Sequence, residues 1–317
     1  MGLSLQIILA VLLDQLLGDP RWLPHPVRVM AAVAGRLEEK TRALLPPFAA
    51  GVCTVFLTLA LTGLASSGLL RAGTMLHPWL GEAVAVFLIY TSIAARDLVR
   101  HSTAVHAALA DGDLAKARQR VGLIVGRDTA ELDEEGVTRA AVESVAESMV
   151  DGVTAPLFFA VLAGPVGAML YRAVNTMDSL FGYKNERYRR FGTAAARLDD
   201  LANFLPARLS GLLLPVAAFF LGLDPRRSLA VLRRDRKNHA SPNSGHSEAA
   251  MAGALGVRLG GPAVYSGTPA AKPFLGEATR PLAAKDILRS NRLMLLASAF
   301  TLLVLLALRG QILLLFA

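Results

Sequence analysis

The sequence predicts a mainly α-helical, polytopic integral membrane protein, with about four spanning helices, one or two re-entrant or interfacial apolar helices, and helical cytoplasmic loops. Three observations predict it. Apolar residues make up 53% of the 317 positions and charged residues 18%, whereas a soluble domain holds about 45–50% and about 25%. Residues 43–70 carry no charge in 28 consecutive positions, more than the roughly 20 residues a helix needs to cross about 30 Å of hydrocarbon. The 33 Lys and Arg exceed the 25 Asp and Glu, a net charge of +8, and they gather in a few loops, as basic residues of membrane proteins do on the cytoplasmic side. This composition excludes a disordered chain and a disulfide scaffold, and it argues against a soluble enzyme. Cys53, the single cysteine, lies inside an apolar run, which leaves no intramolecular disulfide and no Cys-rich zinc site. The basic excess is assigned to loops facing lipid headgroups, so no nucleic-acid partner is expected.

Taken in order, the elements follow from charge and proline. Leu3 to Leu17 is an apolar run of 15 residues containing Asp14 and ending in Gly18-Asp19-Pro20. At about 22 Å as a helix it is a short span or an interfacial helix. Met1 to Leu5 has no Lys or Arg, so a signal peptide is not expected. The run 43–70 opens with Pro46-Pro47, where a helix start tolerates proline. Gly73 to Ala95 is a second span with Glu82 as its only charge, and Leu293 to Leu308, between Arg292 and Arg309, is a third. Gly152 to Tyr171 and Leu209 to Leu223 are apolar but contain Pro156, Gly164, Pro165, Gly167 and Pro215. Such interrupted segments are expected to be re-entrant or cavity-lining.

Charge counting sets the expected topology. Segments 18–45, 96–151, 172–208 and 224–292 carry five, seven, seven and twelve Lys or Arg. All four fall on the cytoplasmic side if 152–171 and 209–223 do not cross, with both termini outside. The chain is then one membrane-integrated domain over 1–317, with 96–151, 172–208 and 224–292 forming the active site.

Candidate chemistry lies in those three segments. Residues 96–125 read as an amphipathic helix pair turning at Gly112-Asp113. In the following helix Arg139, Glu143, Glu147 and Asp151 recur every four residues, which stacks them on one face. The plain reading is a solvated face. Against it, two like charges ~6 Å apart repel by ~0.7 kcal/mol in water and ~3 kcal/mol at an effective dielectric near 20, so acids nearing a membrane want cations. Arg139 supplies one, and a metal or metal-nucleotide would supply the rest. Arg172, Asn175 and Asp178 share a face at spacing three, and Lys184 and Arg187 suit phosphate or carboxylate, although ordinary surface ion pairing is the commoner explanation for any one of them. Ser241-Pro-Asn-Ser-Gly245 leads into a helix whose free N–H groups either hold an anion or are simply capped. No Walker A, Rossmann or H-E-x-x-H pattern occurs.

Together these segments resemble a known family. Leu17-Gly-Asp-Pro20, Leu23-Pro-His-Pro-Val-Arg28, Val125-Gly-Arg-Asp-Thr129, Val142-Glu-Ser-Val-Ala-Glu147, Asp151-Gly-Val-Thr-Ala-Pro156, Asn175-Thr-Met-Asp178, Gly182-Tyr-Lys-Asn-Glu-Arg187, Arg197-Leu-Asp-Asp200 and Ser241-Pro-Asn-Ser-Gly245 resemble, in order and spacing, the adenosylcobinamide-phosphate synthases of cobalamin biosynthesis, the CbiB/CobD type. Ser148 stands where Asn is usual, and His246-Ser247 where an aromatic residue and Pro are usual. The resemblance implies an ATP- and Mg2+-dependent ligase of the bacterial inner membrane. It would join adenosylcobyric acid to an aminopropanol phosphate, or a related amino alcohol phosphate, alongside other membrane-associated enzymes of the pathway. It further implies Glu143, Glu147 and Asp151 as magnesium ligands, and Glu147, Lys184 and Asp178 as catalytic. Arg127, Asp128, Arg172, Asn175, Arg187, Asp199, Asp200, Asn243, Ser244 and Gly245 would bind substrate or phosphate. The rival readings are a transporter with an acidic pathway, since broken helices and membrane-adjacent acids also describe ion routes, and a non-catalytic membrane scaffold.

Overall fold

The computed structural model describes residues 1–20, 22, 25–183, 185–265 and 267–315. In chain order they form α1 (Leu3–Leu17), α2 (Pro26–Leu44), α3 (Pro47–Leu76), α4 (Pro78–Tyr90), α5 (Ala95–Ala110), α6 (Leu114–Val121) and α7 (Glu134–Met149). A π turn, Val150–Thr154, leads to α8 (Ala155–Phe181), α9 (Thr193–Ala202), α10 (Phe204–Phe220), α11 (Pro225–Asp235) and α12 (Ser244–Leu255). Four short strands follow, β1 (Leu259–Gly260), β2 (Ala263–Tyr265), β3 (Thr268–Ala270) and β4 (Phe274–Leu275), and α13 (Lys285–Leu315) ends the described chain. The mainly helical, polytopic expectation holds. Segment 224–292, expected to be helical, also carries two antiparallel pairs, β1 with β4 and β2 with β3.

Four helical stretches are long and apolar enough to cross a bilayer: Pro47–Leu76, Pro78–Ala110, Glu134–Phe181 and Lys285–Ile312. Helices α9 and α10 make a bent apolar pair, and α1 is a shorter apolar helix. The third stretch differs from the expectation that 152–171 stays out of the count. The apolar segment is long enough by itself; α7, the π turn and α8 run on from Glu134 to Phe181, so the segment lies inside one long helical stretch. The break expected at Gly164-Pro165 is present. Ala163 and Gly164 leave helical geometry, Gly164 at φ +66°, a conformation that glycine adopts without strain, and Pro165 has no N–H to continue the ladder.

The chain divides into two compact units. The first holds residues 1–94, 155–203 and 305–317. Helix α3 starts with Pro46 as its cap and Pro47 as its first residue, and α4 is capped by His77, whose Nδ1 accepts from the Trp79 N–H at 3.2 Å. Glu82, the lone charge of the second apolar run, accepts from Gln6 Nε2 at 2.5 Å. A core of Ala34, Ala50, Val55, Met177, Phe181, Phe191 and Ala195 joins α2, α3, α8 and α9.

The second unit holds residues 95–154 and 204–304. The expected turn at 112–113 joins α5 to α6, with Gly112 at φ +73° and Asp113 Oδ1 accepting from the Lys116 N–H at 2.9 Å. At its centre is α12, buried along its whole length and packed by α7, α10, α11, β1 and β4. Its run of Ser, Gly and Ala permits this, because small side chains let neighbouring backbones approach closely. Ser228 of α11 donates to the Ala250 carbonyl at 2.8 Å.

Candidate active site

Helix α7 presents the acids of the second unit. Asp133 caps it, Oδ1 accepting from the Gly136 N–H at 2.7 Å, and Glu134 and Glu135 occupy its positive end. The expected division into two faces holds only in part, because Glu143 is buried like Val142 while Glu147 is exposed. Arg139 points back along the helix to Glu135 Oε1 at 2.7 Å and away from Glu143. The cation on Glu143 is instead Arg127, and the Glu143 carboxylate also accepts from the Gly260 N–H at 2.6 Å. Both side chains of this ion pair are only 9% exposed. One turn on, Glu147 Oε1 accepts from the Ser244 hydroxyl at 3.1 Å. Between them Ser144 ties α7 to the preceding loop, donating to the Ile124 carbonyl at 2.7 Å.

These groups line a cavity of about 110 Å³, joined by Ser148, His239, Glu248, Tyr265 and Lys272. His239 and Glu248 face each other, Nε2 to Oε1, at 3.5 Å. The Ser241 N–H donates to His239 Nδ1 at 3.0 Å, which leaves the imidazole proton on Nε2 toward Glu248. Burial pushes the Glu248 carboxyl well above the ordinary carboxylate range, and the charges of Glu143 and Glu147 push it further. Burial likewise pulls His239 below the usual imidazole value, against the opposing pull of Glu147. Both shifts favour the neutral form of each group, the protonated carboxyl and the unprotonated imidazole. Lys272, 5.0 Å from the Tyr265 ring, brings a cation to the same cavity.

Of the sequence candidates in this unit, Arg127, Glu143, Glu147 and Ser244 are brought together. Asp151 does not line the cavity. It lies in the π turn, whose wider winding takes it off the four-residue stack. Among the described residues no three His, Cys, Asp or Glu side chains converge as a metal centre. Asp128 holds the β2–β3 hairpin, donating its own N–H to the Val264 carbonyl at 2.8 Å and accepting from the Gly267 N–H at 2.7 Å. Asn243 receives Arg208 Nη1 at 3.5 Å, and Gly245 sits where a Cβ would lie 2.3 Å from the Arg236 carbonyl oxygen.

The first unit carries the rest. Arg172 reaches Asn175 at 3.5 Å, Asn175 reaches Asp199 at 3.4 Å, and Asn203 links Asp199 to the Tyr171 hydroxyl through bonds of 2.9 Å. Asp178 and Asp200 are half-buried on α8 and α9. Arg187 pairs with buried Glu38 at 3.1 Å, and Arg42 holds the same carboxylate at 2.9 Å. Lys184, Leu23 and Pro24 lie outside the described residues. Sequence reasoning missed Glu38, His239, Glu248 and Lys272. Glu248 had a signal, since it is the only carboxylate or Lys/Arg cation between Lys237 and Arg258 and it falls in a helix of small residues.

Comparison with known proteins identifies the family of the chain. The family profile described as CobD/Cbib protein matches residues 7–294. The chain is 47% identical over 296 residues to the cobalamin biosynthesis protein CobD of Leptospira interrogans, covering 93% of this chain and 94% of that one. It is 50% identical over 302 residues to CobD of Geobacter metallireducens, covering 95% and 94%. With the cobalamin biosynthesis protein CbiB of Salmonella choleraesuis the identity is 45% over 306 residues, covering 95% and 96%. No solved structure matches. The chain belongs to the CobD/CbiB family of cobalamin biosynthesis proteins.

Proposed function

We propose that the chain is an adenosylcobinamide-phosphate synthase, which joins the free carboxylate of adenosylcobyric acid to the amine of an aminopropanol phosphate, or a related amino alcohol phosphate, at the expense of ATP. A carboxylate and an amine form an unreactive salt at neutral pH, so the acyl group must be activated. In the first step a carboxylate oxygen attacks the γ-phosphorus of ATP and the bond to the ADP oxygen breaks. In the second, the amine nitrogen attacks the acyl carbon, inorganic phosphate leaves, and the amine loses a proton. Catalysis of the first step rests on positioning and charge neutralisation.

The observation that carries this reading is the polar cavity around α7, where Arg127, Glu143, Glu147, Glu248, His239 and Lys272 meet, with Glu143 and Glu248 buried and Glu147 at the exposed edge. At about 110 Å³ it is smaller than the roughly 300–1,000 Å³ that encloses a whole small-molecule ligand. It suits the reacting ends: a carboxylate, a terminal phosphoryl group, an amine. Glu143 holds Arg127 in place against the Gly260 backbone, so the guanidinium is ordered before substrate arrives. Glu147, which accepts from the Ser244 hydroxyl, takes the amine proton. Lys272 attracts phosphate oxygens.

The residues fit the magnesium ion that accompanies a nucleotide. Such an ion keeps waters and phosphate oxygens and needs only one or two carboxylates, which Glu147 and Glu143 supply without a third. Burial is the main cause of the raised proton affinity of Glu248, and the charges of Glu143 and Glu147, which a cation would offset, add to it. When bound, the ion neutralises charge on the transferring phosphoryl group. In the first unit, Arg172 and Arg187, with Lys184, are proposed to hold substrate or nucleotide phosphates, and Asp178, Asn175, Asp199 and Asp200 to order them. The protein is proposed to sit in the bacterial cytoplasmic membrane with its basic segments on the side where ATP is found.

The test is ATP-dependent condensation in purified membranes, with competing amino alcohol phosphates, for wild type, Glu147→Gln and Lys184→Met. Both variants are expected to lose most of their turnover. Near-normal turnover in both overturns the site. Transport of labelled substrate into liposomes without amide formation overturns the function.

A further inference from the structure

Two adjacent residues of the loop before α7 face in different directions. The Arg127 side chain pairs with Glu143 in the cavity, whereas Asp128 does not line the cavity and is exposed. The Asp128 N–H donates to the Val264 carbonyl at 2.8 Å, and its Oδ2 accepts from the Gly267 N–H at 2.7 Å. Both bonds go to the β2–β3 hairpin, Val264 lying within β2 and Gly267 in the turn at φ +76°. The loop is itself fixed on both sides of the dipeptide. Ser144 donates to the Ile124 carbonyl at 2.7 Å, and the Thr129 hydroxyl donates to the Arg118 carbonyl at 3.2 Å.

The hairpin needs such a tie. It joins Ala263 with Ala270, Val264 with Pro269 and Tyr265 with Thr268, and among the described residues no third strand pairs with it. A two-stranded hairpin by itself is marginal in water, and Pro269 has no N–H to give to the ladder. Tyr265 of β2 nevertheless lines the α7 cavity together with Lys272, which follows β3. The Lys272 ammonium stands 5.0 Å from the centre of the Tyr265 ring, within reach of cation–π attraction. The ring therefore places the ammonium, the hairpin places the ring, and Asp128 holds the hairpin.

We propose that Asp128 is a positioning residue, which ties the β2–β3 hairpin to the Arg127 loop and so, through the Tyr265 ring, holds the Lys272 ammonium in the α7 cavity for a phosphate oxygen of the substrate. One dipeptide then sets two cations of the cavity, Arg127 through Glu143 and Lys272 through the hairpin. This role differs from the direct substrate contact that the family resemblance implies for Asp128. It asks the side chain to accept a backbone hydrogen bond and makes no use of its charge, so the amide oxygen of Asn serves as well. The proposal rests on the synthase reading, which brings two phosphate-bearing substrates to the protein, the amino alcohol phosphate and ATP. Both offer the same oxygens to the ammonium.

The experiment uses the purified full-length protein in detergent and compares wild type, Asp128→Asn, Asp128→Ala, Lys272→Met and the double variant Asp128→Ala/Lys272→Met. KM is measured separately for the aminopropanol phosphate and for ATP, and hydrogen exchange of the β2–β3 segment is the second readout. Asp128→Ala is expected to raise one KM about threefold or more with kcat within about twofold, and the KM that rises names the source of the phosphate. Lys272→Met is expected to raise the same KM. The double variant is expected to be no worse than Lys272→Met, because the hairpin then has no ammonium to place. Asp128→Asn is expected to match wild type in KM and in exchange, while the β2–β3 amides of Asp128→Ala exchange faster. Asp128→Asn as impaired as Asp128→Ala overturns the positioning role, as do multiplying effects in the double variant or unchanged KM values in Asp128→Ala. Absence of amide synthesis by wild type overturns the synthase reading instead, and exchange then decides the tie: equal protection in wild type and Asp128→Ala refutes it, and faster exchange that Asp128→Asn does not share supports it.

Discussion

Replacing Arg127 by Met isolates the interaction on which the order of the α7 cavity depends. The Arg127–Glu143 pair is 9% exposed on both sides, and the Gly260 N–H also donates to Glu143. Met keeps most of the side-chain volume but removes the cation, so a carboxylate would stay buried with one backbone bond. Removing one partner of a buried pair costs about 3–5 kcal/mol, most of it the penalty of the stranded charge. At about 2–4 °C per kcal/mol, Arg127→Met is expected to lower Tm by roughly 6 °C or more. Removing both charges in Arg127→Met/Glu143→Gln is expected to recover much of that loss, since no charge is then stranded. Thermal unfolding of wild type, both single variants and the double variant in one detergent closes the cycle. A drop for Arg127→Met under about 1 °C, or strict additivity in the double variant, refutes the argument that this pair is coupled and buried.

Two further outcomes follow from the same unit. Glu248 has its native value raised above its unfolded one, so its contribution to stability is fully present below the unfolded value, near 4.5, and is lost as pH rises toward the native value. His239 is lowered, so its contribution is present above about 6.5 and lost on acidification. Glu248→Gln is therefore expected to flatten the fall of Tm with rising pH above about 5 while leaving the acid limb in place, and an unchanged alkaline slope counts against a protonated native Glu248. Gly245→Ala is expected to prevent normal packing of α12, because its Cβ would stand 2.3 Å from the Arg236 carbonyl oxygen and 2.9 Å from His239 Cβ. Protease protection of the 224–292 segment equal to wild type would contradict that contact.

Hydropathy and chain-local chemistry were legible without a structure. Charge-free lengths located α3 and the apolar part of α13, Pro46-Pro47 marked a helix start, Gly112-Asp113 a turn, and Gly164-Pro165 a break. Each of these is decided within a few residues, by the need to satisfy backbone polar groups in lipid or by the φ that glycine and proline permit. The acids of α7 were legible as candidates for the same reason, through helical spacing.

What covers those acids was decided only by tertiary structure. Arg127, not Arg139, neutralises Glu143; Ser244 reaches Glu147 across 97 positions, and Gly260 reaches Glu143 across 117. Periodicity says which residues share a face and is silent on what packs against it, so His239, Glu248 and Lys272 gave no local sign of meeting in one cavity. The π turn that takes Asp151 off the stack likewise follows from no local rule.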